Sequence, residues 1–176
     1  MSDSFPIIQR PNLRNSGILV EILDNPITLR ELNLSLLNCK CKKSPGPDNI
    51  SYEFLKNIPE GPLNFLLDIY NNMLIEEKLP SEWTKILLKM IYKMGEKMDP
   101  NNYRPIALAD TLLKVFTSIL NKRLSIFSEN NRIIPEFQSG FREGRSCTDN
   151  IYTLNSLIQL KLRKENGKLF ALFVDF

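Results

Sequence analysis

Apolar residues recur at helical spacing in the first third of the chain. The stretch "TLRE" places Thr28 as a helix N-cap and Glu31 three positions later, which is a capping box, and leucines follow at positions 29, 32 and 36. This pattern predicts a helix over residues 28–40, and a short helix is predicted over residues 51–58. Residues 1–26 show no sustained period and contain prolines at positions 6, 11 and 26, so they are predicted to form a leader or linker docked loosely on the rest of the chain.

Three longer helices are predicted further along the chain. The first has Pro62 in its first turn and ends before position 79. Asp110 caps the second, in which apolar residues and Arg123 fall at helical spacing up to about position 128. The third begins at another capping box, Ser146 with Asp149, and has apolar residues at positions 151, 154, 158 and 162.

The stretch "KILLKMIYK" alternates with a period of two instead. Apolar residues at positions 86, 88, 90 and 92 share one parity, and lysines at positions 85, 89 and 93 share the other. A β-strand here would therefore have an apolar face and a cationic face. After a polar connection, "YRPIAL" is predicted to return as a second strand, which Pro105 restricts to an edge or a hairpin.

The chain closes on "ENGKLFALFVDF". A turn signal at Asn166-Gly167 precedes an apolar run from Leu169 to Val174, which predicts a buried strand that delivers the carboxylate of Asp175. The predicted fold class is α+β. We expect a mainly helical domain with a small antiparallel hairpin and one terminal strand.

The amino-acid composition excludes some classes of catalysis but does not identify the function. The chain has 176 residues, 43% of them hydrophobic, which is about the length of one domain with a buried core. A net charge of +3 is too small to indicate nucleic-acid binding unless the cations are clustered. The absence of histidine excludes Ser-His-Asp and Cys-His catalysis and leaves carboxylates, lysine, arginine and metal ions.

The cysteines and the hydropathy of the chain indicate the cellular compartment. The three cysteines have no paired spacing, so we expect reduced thiols rather than disulfides or a four-ligand zinc site. There is no signal-like N-terminus and no apolar run long enough to cross a bilayer. We therefore expect a soluble, intracellular protein, cytoplasmic or nuclear.

The hairpin is the first candidate site. Lys89 and Lys93 project from one strand and Arg104 from the other, and together they could hold a polyphosphate, the arginine through paired hydrogen bonds and the lysines as point charges. The alternative is a solvated strand face on which lysines protect a sheet edge from aggregation.

The loop "FQSGFREGRSCTDN" is the second candidate site. Its glycines let backbone approach a ligand, Phe141 offers a stacking face, and Arg142 and Arg145 supply charge, a mixture that suits a single-stranded template or a nucleotide. Alternatively, the glycines permit turns, the arginines are solvated and the phenylalanine anchors the loop to the core.

Asp175 is the third candidate. A carboxylate at the end of a buried strand can bind Mg²⁺, which takes one or two protein carboxylates together with phosphate oxygens. A strand that simply ends in a polar residue would give the same sequence.

Five stretches, taken in order, resemble the reverse transcriptase domain of non-LTR retrotransposons, the LINE class. They are "KKSPGPDNI", "LPSEWTKILLKMIYKMGEKMDPNNYRPIAL", "LLKVFTSILNKRL", "FQSGFREGRSCTDNI" and "LFALFVDF". The resemblance covers residues 27–176 and implies a partial domain made of helical fingers and the first strand of the palm, preceded by the leader 1–26. The implied activity is RNA-directed DNA polymerisation, with an RNA template, a DNA primer and deoxynucleoside triphosphates as partners.

The resemblance also implies roles for single residues. Lys93 and Arg104 would contact the triphosphate of the incoming nucleotide. Asp175 would be the first of the catalytic aspartates that bind two Mg²⁺ ions.

Two further groups acquire implied roles. The turn "PGPD" and the lysines before it would lie either near the template path or in a structural turn: Lys42, Lys43 and Asp48. The glycine-rich loop would line the pocket for template and nucleotide: Gln138, Gly140, Phe141 and Arg142.

The family's second acidic cluster is an Asp-Asp pair, and no such pair occurs in this sequence. We therefore expect a truncated fragment that is inactive alone and whose terminal strand exposes its apolar side chains for want of partner strands. Two alternatives are a non-catalytic remnant that binds RNA or single-stranded DNA through the hairpin and the loop, and a helical interaction protein with neither activity.

Overall fold

The computed structural model describes residues 21–164 and 167–174, with only the backbone of Glu21. The chain divides into two compact units, residues 1–127 (unit 1) and residues 128–176 (unit 2). The predicted division into a leader and a domain stays a prediction, because residues 1–20 lie outside the described part. In chain order the helices and strands are α1 (Glu21–Asp24), α2 (Leu29–Asn38), α3 (Tyr52–Lys56), α4 (Glu60–Glu76), β1 (Leu87–Tyr92), β2 (Tyr103–Leu108), α5 (Thr111–Asn130) and α6 (Cys147–Leu162).

The predicted helices of unit 1 are confirmed, and the N-termini of α2 and α3 follow from local sequence. The hydroxyl of Thr28 accepts a hydrogen bond from the Glu31 amide at 3.2 Å, and the Glu31 carboxylate accepts one from the Thr28 amide at 2.8 Å. This is the capping box that the sequence predicted. Ser51 caps α3 in the simpler way, by accepting from the amide of Phe54 at 3.2 Å.

The core of unit 1 forms where α2, α3, α4 and α5 pack their apolar faces together. Tyr70 of α4 is fully buried, its hydroxyl donates to the carbonyl of Leu112 at 2.7 Å, and its ring contacts Phe116 and Trp83. Burial raises the pKa of the Tyr70 hydroxyl. The buried apolar residues are Ile27, Leu32, Leu36, Leu55, Leu63, Leu66, Tyr70, Met73, Val115, Phe116 and Ile119.

A buried arginine joins α5 to α2 and to the segment before α2. Arg123 is 4% exposed and donates to both carboxylate oxygens of Glu31, at 2.7 and 2.9 Å. It also donates to the carbonyls of Asn25 and Pro26, at 2.5 and 3.0 Å. These bonds satisfy a charge that would be costly to bury alone, and they fix the chain entering α2. The Arg123 guanidinium lowers the pKa of the Glu31 carboxyl from its ordinary 4.5 to about 2.

The predicted hairpin is confirmed as a two-stranded antiparallel sheet between α4 and α5. All six residues of β1 are exposed, and so are the four central residues of β2. Neither face of the hairpin is therefore covered by the core. Its register pairs Leu87 with Leu108, Leu88 with Ala107, Lys89 with Ile106, Met90 with Pro105, Ile91 with Arg104 and Tyr92 with Tyr103.

Unit 2 contains the end of α5, a loop and α6, which begins at the predicted capping box of Ser146 and Asp149. No residue of α6 is buried. Residues 167–174 form neither helix nor strand, so the prediction of a terminal strand over 169–174 is wrong for the described residues. No described segment pairs with this stretch, and backbone groups without a partner strand gain nothing from extension over hydration. Its apolar side chains are exposed, as expected: Leu169, Phe170, Leu172, Phe173 and Val174.

The α+β fold class is thus confirmed, with the sheet reduced to the hairpin among the described residues. The three cysteines are free thiols, as the sequence led us to expect. Within the described ranges, no helix is both long and apolar enough to cross a membrane.

The Arg123–Glu31 pair predicts an acid-sensitive contribution to stability. The pKa of Glu31 is depressed in the folded state, so its stabilisation is complete above its ordinary value of 4.5 and is lost as the pH falls toward about 2. Glu31→Gln should lower the free energy of unfolding by about 2 kcal/mol near neutral pH, a discounted figure because Glu31 is partly exposed. Urea unfolding at neutral and acidic pH measures this difference, which should shrink on acidification. Glu76→Gln is the control, and a difference that stays constant with pH would contradict the assignment.

Candidate nucleotide and nucleic-acid interface

The register of the hairpin places three cations on one face. Side chains directly opposite each other share a face, so Lys89, opposite Ile106, and Arg104, opposite Ile91, point to the same side. The amide of Lys93 donates to the carbonyl of Asn102 at 2.8 Å, which extends the pairing by one residue and adds Lys93 to that side. Arg104 thus lies diagonally between the two lysines. We call this surface the cationic face.

The side chains of the cationic face are exposed and unneutralised. Among the described residues, no hydrogen bond or ion pair engages the side chain of Lys89, Lys93 or Arg104. Exposed Ile91 and Ile106 stand directly across from the cations. Cations and uncovered apolar side chains therefore share one surface, and this combination suits an anion with an apolar part.

The connection between the strands is held by side chains that bond to its backbone. The hydroxyl of Tyr92 donates to the carbonyl of Gly95, and the hydroxyl of Tyr103 donates to the carbonyl of Lys97 at 2.9 Å. The amide group of Asn102 donates to the carbonyl of Glu96 at 2.9 Å. Gly95 has φ +94°, a conformation that other residues rarely adopt. These bonds order the connection next to Lys93.

The loop of unit 2 is organised around Arg142. Its guanidinium donates to both carboxylate oxygens of Glu129 at 2.8 Å, and to the carbonyls of Pro135 and Gln138 at 3.0 and 3.1 Å. The side chain is only 5% exposed, and this pairing lowers the pKa of the Glu129 carboxyl. Arg145 pairs with Glu136 in the same loop. The two predicted ligand-binding arginines are therefore engaged within the loop, through glutamates that the sequence pattern did not single out.

Phe141 does not anchor the loop to the core, which was the alternative interpretation of this residue. Its side chain is fully exposed, and its backbone lies in the left-handed region with φ 62°. That conformation is unfavourable for a bulky residue, so the surrounding bonds of Arg142 must hold it. The side-chain amide of Gln138 donates to the carbonyl of Gly140 at 3.4 Å, just before the ring. The four predicted pocket residues thus lie in one ordered turn, with an aromatic ring facing solvent.

The "PGPD" turn has a structural role, and the lysines before it are exposed. The carboxylate of Asp48 accepts from the amides of Ile50 and Thr111, at 3.1 and 2.9 Å, so it belongs to a turn and a helix start. The side chains of Lys42 and Lys43 are exposed. The backbone of Lys42 is left-handed, with φ 58°, and its amide donates to Glu53, a bond that lowers the pKa of the Glu53 carboxyl.

The predicted metal ligand cannot be placed in the same way. Asp175 lies outside the described residues, and so does its relation to Lys93 and Arg104. Among residues 21–164 and 167–174, no three His, Cys, Asp or Glu side chains lie together as a metal site would require.

Curated proteins that the chain matches are named RNA-directed DNA polymerases, a class of nucleotidyltransferases. More particularly, the chain belongs to the family of non-LTR retrotransposon polymerases, which confirms the resemblance seen in the sequence. No protein-family model matches it.

Three relatives, all from Drosophila melanogaster, show the extent of the match. The probable RNA-directed DNA polymerase from transposon BS is 32% identical over 151 residues, 85% of this chain and 17% of the relative. The RNA-directed DNA polymerase from mobile element jockey is 32% identical over 152 residues, 85% of this chain and 16% of the relative. The probable RNA-directed DNA polymerase from transposon X-element is 31% identical over 164 residues, 92% of this chain and 18% of the relative.

The chain thus spans less than a fifth of the length of these relatives. The names imply a nucleic-acid template and primer as partners of the relatives, and DNA polymerases generally use metal ions.

Proposed function

We propose that this chain supplies the nucleotide-binding fingers of an RNA-directed DNA polymerase. Lys93 and Arg104, supported by Lys89, bind the triphosphate of the incoming nucleotide. The observation that carries the proposal is that these three cations share one exposed face of the hairpin without a carboxylate partner among the described residues. A triphosphate supplies the missing negative charge.

The chemistry of nucleotidyl transfer explains why such a face would be useful. The reaction needs the nucleotide held in line with the attacking primer oxygen while charge redistributes on the phosphates. Arg104 can grip two phosphate oxygens with its planar fork, and the lysines can follow the charge on flexible stems. The hairpin would therefore position the nucleotide and stabilise its charge, while the bond-forming groups lie elsewhere.

Asp175 is proposed as a ligand of catalytic Mg²⁺ on the sequence resemblance alone. Bound magnesium would neutralise phosphate oxygens and lower the pKa of the attacking hydroxyl. The lysines at positions 42 and 43 are proposed to lie along the template path, which their exposure allows.

Arg104→Ala should weaken the binding of a deoxynucleoside triphosphate to this chain by about tenfold, the value of one charge-assisted interaction. The chain, labelled with ¹⁵N, is titrated with dTTP, and amide shifts in β1 and β2 report the site. Arg30→Ala, which removes an exposed arginine of α2, is the matched control and should leave the affinity unchanged. Equal affinities for Arg104→Ala and the wild type would refute the nucleotide assignment.

Asp175→Asn tests the metal assignment in a polymerase that contains this segment. Primer extension should be abolished, because the amide cannot replace a carboxylate as a ligand of a hard cation. Normal extension by the variant would remove Asp175 from the catalytic set.

The exposed ring of Phe141 favours a second activity, binding of single-stranded RNA or DNA by unit 2. Phe137 of the same loop is also exposed, and bases stack on such rings with little sequence preference. This activity could operate in the polymerase, where the loop would meet the template, or in a non-catalytic remnant.

Phe141→Ala should weaken binding of a short single-stranded RNA by about 1–3 kcal/mol, the contribution of one stacked base. Fluorescence anisotropy with a labelled oligouridylate measures the affinity at fixed salt. Phe65→Ala, which removes another exposed phenylalanine on α4, is the control for loss of apolar surface. If both variants bind as the wild type does, stacking at Phe141 is excluded.

A further inference from the structure

The "PGPD" turn packs directly against the two residues that join β2 to α5. Gly46 is buried there, and a Cβ atom on it would lie 2.3 Å from the carbonyl oxygen of Ala109. Real Cβ atoms do not approach an oxygen so closely, so only glycine allows this contact. The close approach is specific to the exit of the hairpin, because Ala109 follows the last residue of β2.

Two aspartate carboxylates accept hydrogen bonds across this contact. The amide of Asp48 donates to the Asp110 carboxylate at 2.9 Å, and the Asp48 carboxylate accepts from the amide of Thr111 at 2.9 Å. The hydroxyl of Thr111 adds a bond to the carbonyl of Ile50 at 2.6 Å. Asp110 and Thr111 are 3% and 1% exposed. Such buried polar groups are costly to leave without partners, so the contact resists opening. We call it the aspartate lock.

The hairpin needs such an anchor because it has little stability of its own. Two-stranded hairpins are marginal in water, and this one has no residue in the core cluster. Its entry follows Trp83, whose ring meets the buried Tyr70 edge-on at 6.1 Å. Its exit is held by the aspartate lock, which begins just after β2 ends at Leu108. The first cross-strand pair, Leu87 with Leu108, therefore lies between two fixed points.

We infer that Gly46 and Asp48 are positioning residues for the cationic face. They touch no nucleotide; by fixing the exit of β2 they keep the strands in register and hold Arg104 beside Lys89 and Lys93. Opening of the lock lets the hairpin fray from its stem, which separates the cations. The affinity for a triphosphate then falls in proportion to the fraction of molecules with an intact hairpin. This last consequence rests on the proposed function, whereas the anchoring itself does not.

Two independent measurements on the full chain test the inference. The rate of amide hydrogen exchange in β1 and β2 measures how firmly the hairpin is anchored, without any ligand. Titration with inorganic triphosphate measures the affinity of the cationic face. Asp48→Ala should speed exchange of the hairpin amides at least tenfold and weaken triphosphate binding several-fold. Asp48→Asn keeps one of the two acceptor functions and should fall between the alanine variant and the wild type.

The matched control is Thr28→Ala, which removes the N-cap of α2 and so destabilises unit 1 at a place remote from the hairpin in the chain. It should leave hairpin exchange and triphosphate binding unchanged. Where Asp48→Ala fails to fold, Gly46→Ala is the second variant, because it forces the turn away from Ala109 without removing any hydrogen-bonding side chain.

The outcomes separate the two proposals. Faster exchange in the lock variants combined with no triphosphate binding by the wild type would support the anchoring and refute the nucleotide assignment. Hairpin exchange that is equal in Asp48→Ala, Gly46→Ala and Thr28→Ala would overturn the positioning role, whatever the wild type binds.

Discussion

The arrangement of unit 1 depends on the contact between the "PGPD" turn and the start of α5. A solvent-exposed hairpin of two six-residue strands cannot fix its own orientation, because it buries too little apolar surface. The fold meets this constraint by holding the exit of β2 through backbone contact at Gly46 and carboxylate–amide bonds at Asp48 and Asp110. The long helix α5 then ties the same point to the core through Val115, Phe116 and Ile119.

Ion pairs organise both units, and their distribution explains why the net charge of +3 understates the positive charge of the hairpin surface. Arg123 bonds Glu31 inside unit 1, whereas Arg142 and Arg145 bond Glu129 and Glu136 within unit 2. These arginines hold structure together. The cations of the hairpin have no such partners among the described residues. A count of charges along the chain cannot distinguish the two groups, but the contacts do.

The sequence predicted those features whose determinants lie within a few residues of each other. Both capping boxes, the alternation in β1 and the helical periods of α2 and α5 are of this kind. Contacts between distant residues gave no signal: Asp48 and Thr111 are 63 positions apart, and Arg123 and Glu31 are 92 apart. A partial clue was present in Arg123, since an arginine on the apolar stripe of a helix must be paired if the stripe is buried. The terminal strand failed for the opposite reason: its local pattern is strong, but strand formation needs a partner that no described residue supplies.

The "PGPD" region has a structural role, and the proposed contact with the template falls on the lysines just before it. The sequence left two roles open for it, a structural turn or a place near the template. The backbone and Asp48 take the structural role, because their donors and acceptors are engaged with Ile50, Asp110 and Thr111. The side chains of Lys42 and Lys43 are exposed, and the backbone of Lys42 is left-handed with its amide bonded to Glu53. The structural role and the proposed template role therefore involve different atoms, and a rigid backbone is what would give the exposed lysines a defined direction.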